Sequence, residues 1–187
     1  MRIMPTQIPH LLIAEPKAHA DERGFFLESW REEWGAKFGL SSPFIQDNHA
    51  RSEQPGVLRG LHFQRPPKAQ AKLVWVSRGA VYDVAVDIRK GSPTFGAWHG
   101  LVLSAENRLR FFVPEGFAHG YMTLEPGTEV HYKVNAYYSL EHEGGILFDD
   151  PALGIGWPDI APQLSAKDRS LPLIKNLDSP FTYRKKR

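Results

Sequence analysis

The 187-residue sequence contains no cysteine, which excludes disulfide bonds, thiolate metal sites and a cysteine nucleophile. It also lacks a long apolar run. The apolar residues near the N-terminus are interrupted by Pro5, Gln7, Pro9 and His10, so the sequence predicts neither a secretory signal nor a membrane span. These absences together predict a soluble, cytoplasmic protein.

The sequence also lacks a large excess of charge of either sign. Lysine and arginine number 23 against 21 aspartate and glutamate residues, and the formal net charge is +2. We therefore expect no nucleic-acid or membrane partner. Basic residues are concentrated only in the last five positions, YRKKR, where a frayed end is expected. The length favours one domain spanning residues 1–187, with 175–187 forming a C-terminal tail.

Glycine (16) and proline (15) separate short runs of β-branched and aromatic residues, a pattern typical of all-β domains. Successive runs follow one another with short turns between them, which favours a sandwich or barrel of antiparallel strands. The predicted strands cover residues 73–76, 80–87, 98–103, 109–113 and 128–134.

Helix is predicted in few places. Trp30, Trp34 and Phe38 follow one another at helical spacing, which predicts one short helix over residues 27–38 with these rings in the core. From Phe148 onward the sequence is rich in proline, aspartate and glycine, and loops and short helical turns are expected there. Ser165, in the stretch LSAKD, is a candidate helix cap.

The stretch RGLHFQ at 59–64 combines core-like residues with an arginine, a histidine and a glutamine. Strand alternation predicts Arg59, Leu61 and Phe63 on one face, and His62 and Gln64 on the other. A single histidine in such a strand is more often structural than catalytic. A functional interpretation therefore needs partners from elsewhere in the chain.

The stretch PEGFAHG at 114–120 supplies a second histidine, because its proline and glycine favour a tight turn that delivers His119 into the following strand. Two histidine-bearing strands of this kind resemble the paired motifs of the cupin jelly roll. Metal-binding cupins present His-x-His and a carboxylate, whereas Gln64 and Lys72 occupy the corresponding positions here. A lysine ammonium opposes a bound cation, so a metal is not expected.

Acid–base chemistry at His62 fits this pattern better. The unperturbed pKa of histidine, near 6.5, allows the ring to accept a proton at neutral pH. A carboxylate on the other ring nitrogen would orient it, and Asp83, Asp87 and Asp168 are the candidates.

Ten stretches in one order resemble the dTDP-4-dehydrorhamnose 3,5-epimerase family, from about residue 8 to about residue 172. They read DERGFFLE, QDN, RGLHFQ, AKLV, VAVDIR, SPTFG, PEGFAHG, YK, DDP and LSAKD. The resemblance implies a double-stranded β-helix of the cupin jelly-roll type with a few short peripheral helices. It also implies a homodimer partly built by residues 1–50, and an isomerase that needs no metal or organic cofactor.

The implied substrate is a dTDP-linked 4-keto-6-deoxy sugar, dTDP-4-dehydro-6-deoxy-D-glucose, epimerised at C3 and C5 to dTDP-4-dehydro-L-rhamnose. The resemblance implies that His62, oriented by Asp168, is the base, and that Tyr132 returns a proton from the opposite face. Lys72 would stabilise the charge on the C4 oxygen, helped by His119 and Arg59.

The resemblance also implies a wider set of substrate-binding residues. In this set Arg23 and Arg59 are expected to bind the diphosphate, and Tyr138 to stack on thymine. The full set is Arg23, Glu28, Gln46, Asp47, Asn48, Arg59, Lys72, His119, Tyr138, Glu143 and Lys167.

One position departs from the family pattern. The family usually has an aromatic residue just before the DERG stretch, whereas this chain has His19, which stacks less well on a base. The alternatives that stay open are an epimerase acting at C3 or C5 alone on another dTDP-4-keto-deoxysugar, a sugar-binding cupin without catalysis, and a metal-dependent cupin.

Overall fold

The computed structural model describes residues 1–184, and the last three residues of the predicted basic tail lie outside the described range. Thirteen strands are present in that range. They are β1 (Arg2–Pro5), β2 (Leu12–Glu15), β3 (Ala18–Asp21), β4 (Gly24–Leu27), β5 (Gln46–Ser52), β6 (Leu58–Gln64), β7 (Lys72–Arg78), β8 (Ala80–Asp87), β9 (Trp98–Ser104), β10 (Arg110–Val113), β11 (Phe117–Thr123), β12 (Thr128–Val134) and β13 (Glu143–Gly145).

These strands form two large antiparallel sheets and one hairpin. The six-stranded sheet has the order β1-β2-β10-β7-β12-β5, the five-stranded sheet has the order β13-β6-β11-β8-β9, and β3 pairs with β4 alone. The all-β prediction is confirmed. All five predicted strands are present within a residue or two of their expected bounds.

The main core lies between the two large sheets. It combines residues of the six-stranded sheet, such as Val74 and Val130, with residues of the five-stranded sheet, such as Val81 and Ala85. Alternation along β8 places Val84 and Val86 on the opposite face, where they form a second core with the C-terminal segment. Because β8 is buried on both faces, its sequence AVYDVAVD is almost continuously apolar.

The predicted helix over residues 27–38 is wrong in its extent. Leu27 ends strand β4, and only a 3-10 turn (Glu32–Trp34) and the helix α1 (Gly35–Phe38) follow. Pairing with β3 holds the start of the predicted segment extended, and Gly39, with φ 71°, ends the helix in the left-handed region. The core prediction holds, since Trp30, Trp34 and Phe38 lie in one cluster over the six-stranded sheet.

The C-terminal part wraps the five-stranded sheet with loops and single helical turns, as predicted. The turns are α2 (Ala166–Arg169) and two 3-10 helices at Leu140–His142 and Ile174–Asn176. Within the predicted tail, the Phe181 ring contacts Phe63 and the Tyr183 ring stacks on His10. Each helix in the described range is a single turn, and none could cross a membrane.

Candidate active site

The two histidine-bearing strands are neighbours in the five-stranded sheet, where His62 on β6 pairs directly with His119 on β11. Both side chains reach a cavity of about 250 Å³ between the sheets. The residues that line it are Ala50, Arg59, His62, Lys72, His119, Tyr121, Tyr132, Glu143 and Lys167. Strands from both sheets therefore contribute to one polar cavity inside the jelly roll.

The predicted alternation of 59–64 is wrong at Arg59, which lines the same cavity as His62. Tyr121 pairs with Arg59 and His119 with His62, so β6 has two residues between these pairs where β11 has one, which is a β-bulge. The backbones approach closely here, because a Cβ on Gly120 would lie 2.6 Å from the Arg59 carbonyl oxygen. The bulge turns the Arg59 side chain toward the cavity.

His62 forms a hydrogen-bonded pair with Asp168, as predicted: its Nε2 lies 2.6 Å from Asp168 Oδ1. The carboxylate is buried and is held by the helix cap, where Ser165 Oγ accepts from the Asp168 amide and donates to Oδ2. Burial and the nearby Lys72 ammonium lower the pKa of His62, although Asp168 opposes them. The imidazole is therefore neutral at neutral pH and able to accept a proton.

A second histidine–carboxylate pair was not predicted. Asp83, considered as a partner of His62, instead lies 2.8 Å from His119 Nε2. It is completely buried on the cavity-facing side of β8, because it pairs with Tyr121 across the sheet. Asp87, the other candidate, is bound by Arg89, Ser92 and Thr94 and serves the fold.

Lys72 brings a cation into the cavity from the six-stranded sheet. Burial lowers its pKa to about 8, and the carboxylates of Asp83 and Glu143 act in the opposite direction. The ammonium form therefore prevails at neutral pH. A positive charge in a partly dehydrated cavity suits the stabilisation of an oxyanion. The same charge disfavours a metal between the two imidazoles, as expected from the sequence.

Two tyrosines line the cavity near Arg59. Tyr132 projects from β12 of the six-stranded sheet, and burial raises its pKa, so its hydroxyl keeps its proton. Tyr121 projects from β11, and burial raises its pKa despite a hydrogen bond with Arg59. Tyr132 and His62 therefore enter the cavity from opposite sheets, one as a proton donor and the other as an acceptor.

The predicted residues Tyr138, Glu143 and Lys167 lie at the rim of the cavity and contact one another through Glu143. Lys167 Nζ donates to Glu143 Oε1 at 2.6 Å, and the Tyr138 hydroxyl donates to Glu143 Oε2 at 3.2 Å. Burial raises the pKa of Glu143, but the contacts with Lys167 and Tyr138 outweigh it, and the pKa lies below its usual value. Tyr138 is 57% exposed, which leaves its ring free to contact a ligand.

Of the three substrate-binding residues predicted on strand β5, only two face the cavity. Gln46 and Asn48 share a face with the cavity residue Ala50, and Gln46 Nε2 donates to Asn48 Oδ1 at 2.8 Å. Asp47 lies on the opposite face, where its carboxylate accepts from Lys133 Nζ at 2.7 Å. The fold does not bring Asp47 to the cavity, because alternate residues of a strand point to opposite faces.

Arg23 and Glu28 also lie away from the cavity within one chain. Arg23 is at the turn of the β3–β4 hairpin and pairs with Asp21 at 2.6 Å. Glu28 follows β4 and pairs with Arg31. Neither residue lines the cavity.

Sequence reasoning missed Tyr121 and the role of Gln64. Tyr121 lies two residues after His119 on one strand, so the same alternation could have identified it. Gln64 stabilises the loops at the rim of the cavity. Its Nε2 donates to the Lys68 and Tyr137 carbonyls, and its Oε1 accepts from the Ser139 amide. It is a structural residue.

Comparison with known proteins agrees with this geometry. The sequence model of the dTDP-4-dehydrorhamnose 3,5-epimerase family matches residues 5–176. The dTDP-4-dehydrorhamnose 3,5-epimerase of Salmonella typhimurium is 53% identical over 176 residues, which cover 93% of this chain and 96% of that protein.

Solved structures give the same result. The dTDP-6-deoxy-D-glucose-3,5-epimerase of Legionella pneumophila, in complex with dTDP-4-keto-L-rhamnose, has a TM-score of 0.93 and 47% identity over 98% of this chain and 99% of its own. A 3'-monoepimerase of Streptomyces bikiniensis, in complex with dTDP-quinovose, has a TM-score of 0.86 and 36% identity over 91% and 87%. The jelly-roll cavity with its opposed histidine and tyrosine, and the match over most of the length, show that this chain belongs to the dTDP-4-dehydrorhamnose 3,5-epimerase family.

Proposed function

We propose that this protein epimerises dTDP-4-dehydro-6-deoxy-D-glucose at C3 and C5 to give dTDP-4-dehydro-L-rhamnose. The observation that carries the proposal is the opposition of His62, paired with Asp168, and Tyr132, which enter one cavity from different sheets. Inversion at carbon needs a base on one face and an acid on the other, and this cavity offers both. We place the reaction in the cytoplasm, in keeping with the cysteine-free chain.

The C4 ketone explains why such a site suffices. Protons on C3 and C5 are acidified by the adjacent carbonyl, so neutral His62 can remove one of them and leave an enolate. Lys72, with His119 and Arg59 nearby, stabilises the negative charge on the C4 oxygen. Tyr132 then gives its proton to the same carbon from the opposite face. Protonated His62 releases the abstracted proton to solvent, and the Tyr132 phenolate takes one from solvent, so both groups return to their starting states.

The nucleotide end would extend over the rim. Arg59 and Lys167 supply positive charge for the diphosphate, and the exposed ring of Tyr138 suits stacking on thymine. Gln46 and Asn48, on the cavity face of β5, offer amide groups for the sugar or the base. We propose that Arg23 and Glu28 act on the partner subunit's ligand, because neither reaches the cavity of its own chain.

Isotope exchange tests the proposed reaction. On incubation with dTDP-4-dehydro-6-deoxy-D-glucose in deuterated water, we expect deuterium at both C3 and C5, measured by NMR of the sugar, because each carbon loses a proton to His62 and regains one from solvent. A sample without enzyme controls for spontaneous exchange. The absence of deuterium from both carbons would contradict the proposal and favour a binding protein or a different substrate.

An epimerase that inverts only one of the two carbons is the second candidate function, and one observation supports it. The Streptomyces bikiniensis 3'-monoepimerase has the same fold with a TM-score of 0.86. Its sequence identity to this chain is 36%, which is lower than the 47% of the Legionella pneumophila 3,5-epimerase and the 53% of the Salmonella typhimurium 3,5-epimerase. Deuterium at only one carbon would establish this alternative.

We also propose a homodimer, supported by the exposed β3–β4 hairpin. Phe25 is 55% exposed and Phe26 is 70% exposed, which is unusual for adjacent aromatic residues. We expect light scattering at assay concentrations to report a dimer, and Phe26→Ser to weaken it, since that change removes apolar area from the contact. Exposed Leu140, outside the hairpin, gives a matched control as Leu140→Ser. A fully active monomer would contradict this prediction.

A further inference from the structure

The outer face of the six-stranded sheet, turned away from the cavity, carries a row of planar side chains. Four adjacent strands each contribute one in register: Arg110, Trp75, His131 and His49. The Arg110 guanidinium lies 4.7 Å from the Trp75 ring centre, the Trp75 and His131 rings are 5.6 Å apart, and the His131 and His49 rings are 4.1 Å apart. Both ring pairs are stacked, so the two imidazoles lie face to face.

Glu129 lies next to this pair, two residues before His131 on the same face of β12. Its Oε2 is 3.1 Å from His49 Nε2. One ligand atom from each of His49, Glu129 and His131 lies within 4.8 Å of the other two. We call these three residues the outer histidine cluster.

We propose that the outer histidine cluster binds one divalent transition-metal ion, for which Zn²⁺ is the probe of choice. Two imidazoles and one carboxylate are donors that Zn²⁺ prefers, with a water molecule completing four ligands. Ligand atoms about 2.0–2.1 Å from a tetrahedral ion are roughly 3.3 Å apart. The 3.1 Å between Glu129 and His49 already approaches that separation. Because the lone pair of an imidazole nitrogen lies in the plane of the ring, the exposed His49 ring must turn out of its stack on His131 before both rings bind the same ion.

The surroundings orient one of the ligands. Ser77 Oγ lies 2.7 Å from His131 Nε2, on the neighbouring strand β7. With the proton on Nε2 donated to Ser77, the other ring nitrogen, Nδ1, keeps its lone pair for the metal. A hydrogen bond to the distal nitrogen is the usual way in which proteins fix the tautomer of a metal-binding histidine. Trp75 stacks on the other face of the ring and restricts its rotation.

The local charge also suits a cation. On the two strands of the cluster, Arg51 pairs with Glu53 at 3.0 Å and Lys133 pairs with Asp47 at 2.7 Å. Arg78, the register partner of Glu129 on β7, lies with its guanidinium beside Gly127.

The outer histidine cluster is separate from the proposed reaction. Tyr132 lies between the outward-facing residues at positions 131 and 133, and its side chain points to the cavity on the other face. A metal here would link the edge strand β5 to β12 and stabilise the sheet. It would raise the melting temperature increasingly as the free Zn²⁺ concentration exceeds the dissociation constant, since it binds the folded chain and not the unfolded one.

Calorimetric titration of the EDTA-treated full-length protein with ZnCl₂ tests the proposal. We expect one Zn²⁺ per chain, and an affinity at least 10-fold lower in His49→Ala, His131→Ala and Glu129→Gln, each of which removes one ligand. Ser77→Ala keeps all three ligands and is expected to weaken binding by about 10- to 100-fold. Co²⁺ in place of Zn²⁺ should give the absorption bands of a four-coordinate site, and His131→Ala should abolish them.

Two variants control for histidines elsewhere. His19→Ala removes an exposed histidine on β3, and His62→Ala removes the imidazole of the cavity; both are expected to keep the Zn²⁺ affinity of the parent. Should Zn²⁺ fail to bind, or bind equally to the parent and to Glu129→Gln and His49→Ala, the proposal is wrong. Binding lost only in His62→Ala would place the ion in the cavity and would equally overturn it.

Discussion

Replacement of His62 by alanine is expected to remove both proton exchange and epimerisation. His62 is the cavity's neutral imidazole, paired with a buried carboxylate at 2.6 Å and opposed by the Tyr132 hydroxyl. Removal of a positioned general base typically costs about 10²- to 10⁴-fold. We expect deuterium incorporation at C3 and C5, measured in deuterated water by NMR, to fall by that factor at both carbons.

The fold should survive this substitution. The His62 side chain is 23% exposed, so water can enter the space it leaves. Asp168 keeps its hydrogen bond from Ser165 Oγ, and the lost contact should cost about 1–3 kcal/mol of unfolding free energy. Circular dichroism and dTDP binding separate loss of chemistry from loss of structure.

Asp168→Asn is the matched variant for His62→Ala. It keeps the side-chain shape and the imidazole but removes the carboxylate charge, so we expect a smaller loss of exchange than in His62→Ala. Near-normal exchange at both carbons in His62→Ala would show that another group is the base. His119, paired with Asp83 in the same cavity, would then be the next candidate.

The sequence predicts the strands well where burial dictates the residue type. The apolar runs in β7, β8 and β12 face a core on at least one side, so their patterns are strong. Strand β5, with the sequence QDNHARS, was not predicted as a strand, because one of its faces is polar toward the cavity and the other is polar toward solvent. Local patterns often fail at functional sites for this reason.

The site itself was only partly predictable. The resemblance of motifs identified most of the cavity residues and the His62–Asp168 pair, but not the Asp83–His119 pair. Both pairs depend on contacts between residues far apart in sequence. Asp168 meets His62 across 106 positions and Asp83 meets His119 across 36. The bulge that turns Arg59 into the cavity is a register feature of two strands, and alternation within one strand cannot reveal it.

Tyr132→Phe is expected to separate proton exchange from inversion. The variant keeps the ring and loses only the hydroxyl, whose pKa is raised by burial so that it stays protonated. His62 can still remove the substrate proton, exchange it with solvent and return deuterium to the face from which it came. Loss of one positioned acid costs about 10²- to 10⁴-fold in the step that it serves, so inversion should fall far more than labelling.

The expected signature in Tyr132→Phe is therefore deuterium at C3 or C5 in a sugar of unchanged configuration, with NMR coupling constants reporting the configuration and integrals reporting the label. Tyr121→Phe is the matched control, because Tyr121 lies in the same cavity but projects from the five-stranded sheet, on the side of His62. Its hydroxyl bonds Arg59 and cannot approach the sugar from the face opposite the base, so its loss should lower exchange and inversion together. The same parallel loss in Tyr132→Phe would mean that Tyr132 only positions the substrate. Normal inversion in Tyr132→Phe would remove this residue from the mechanism, and the acid would have to be a water molecule or another side chain on that face.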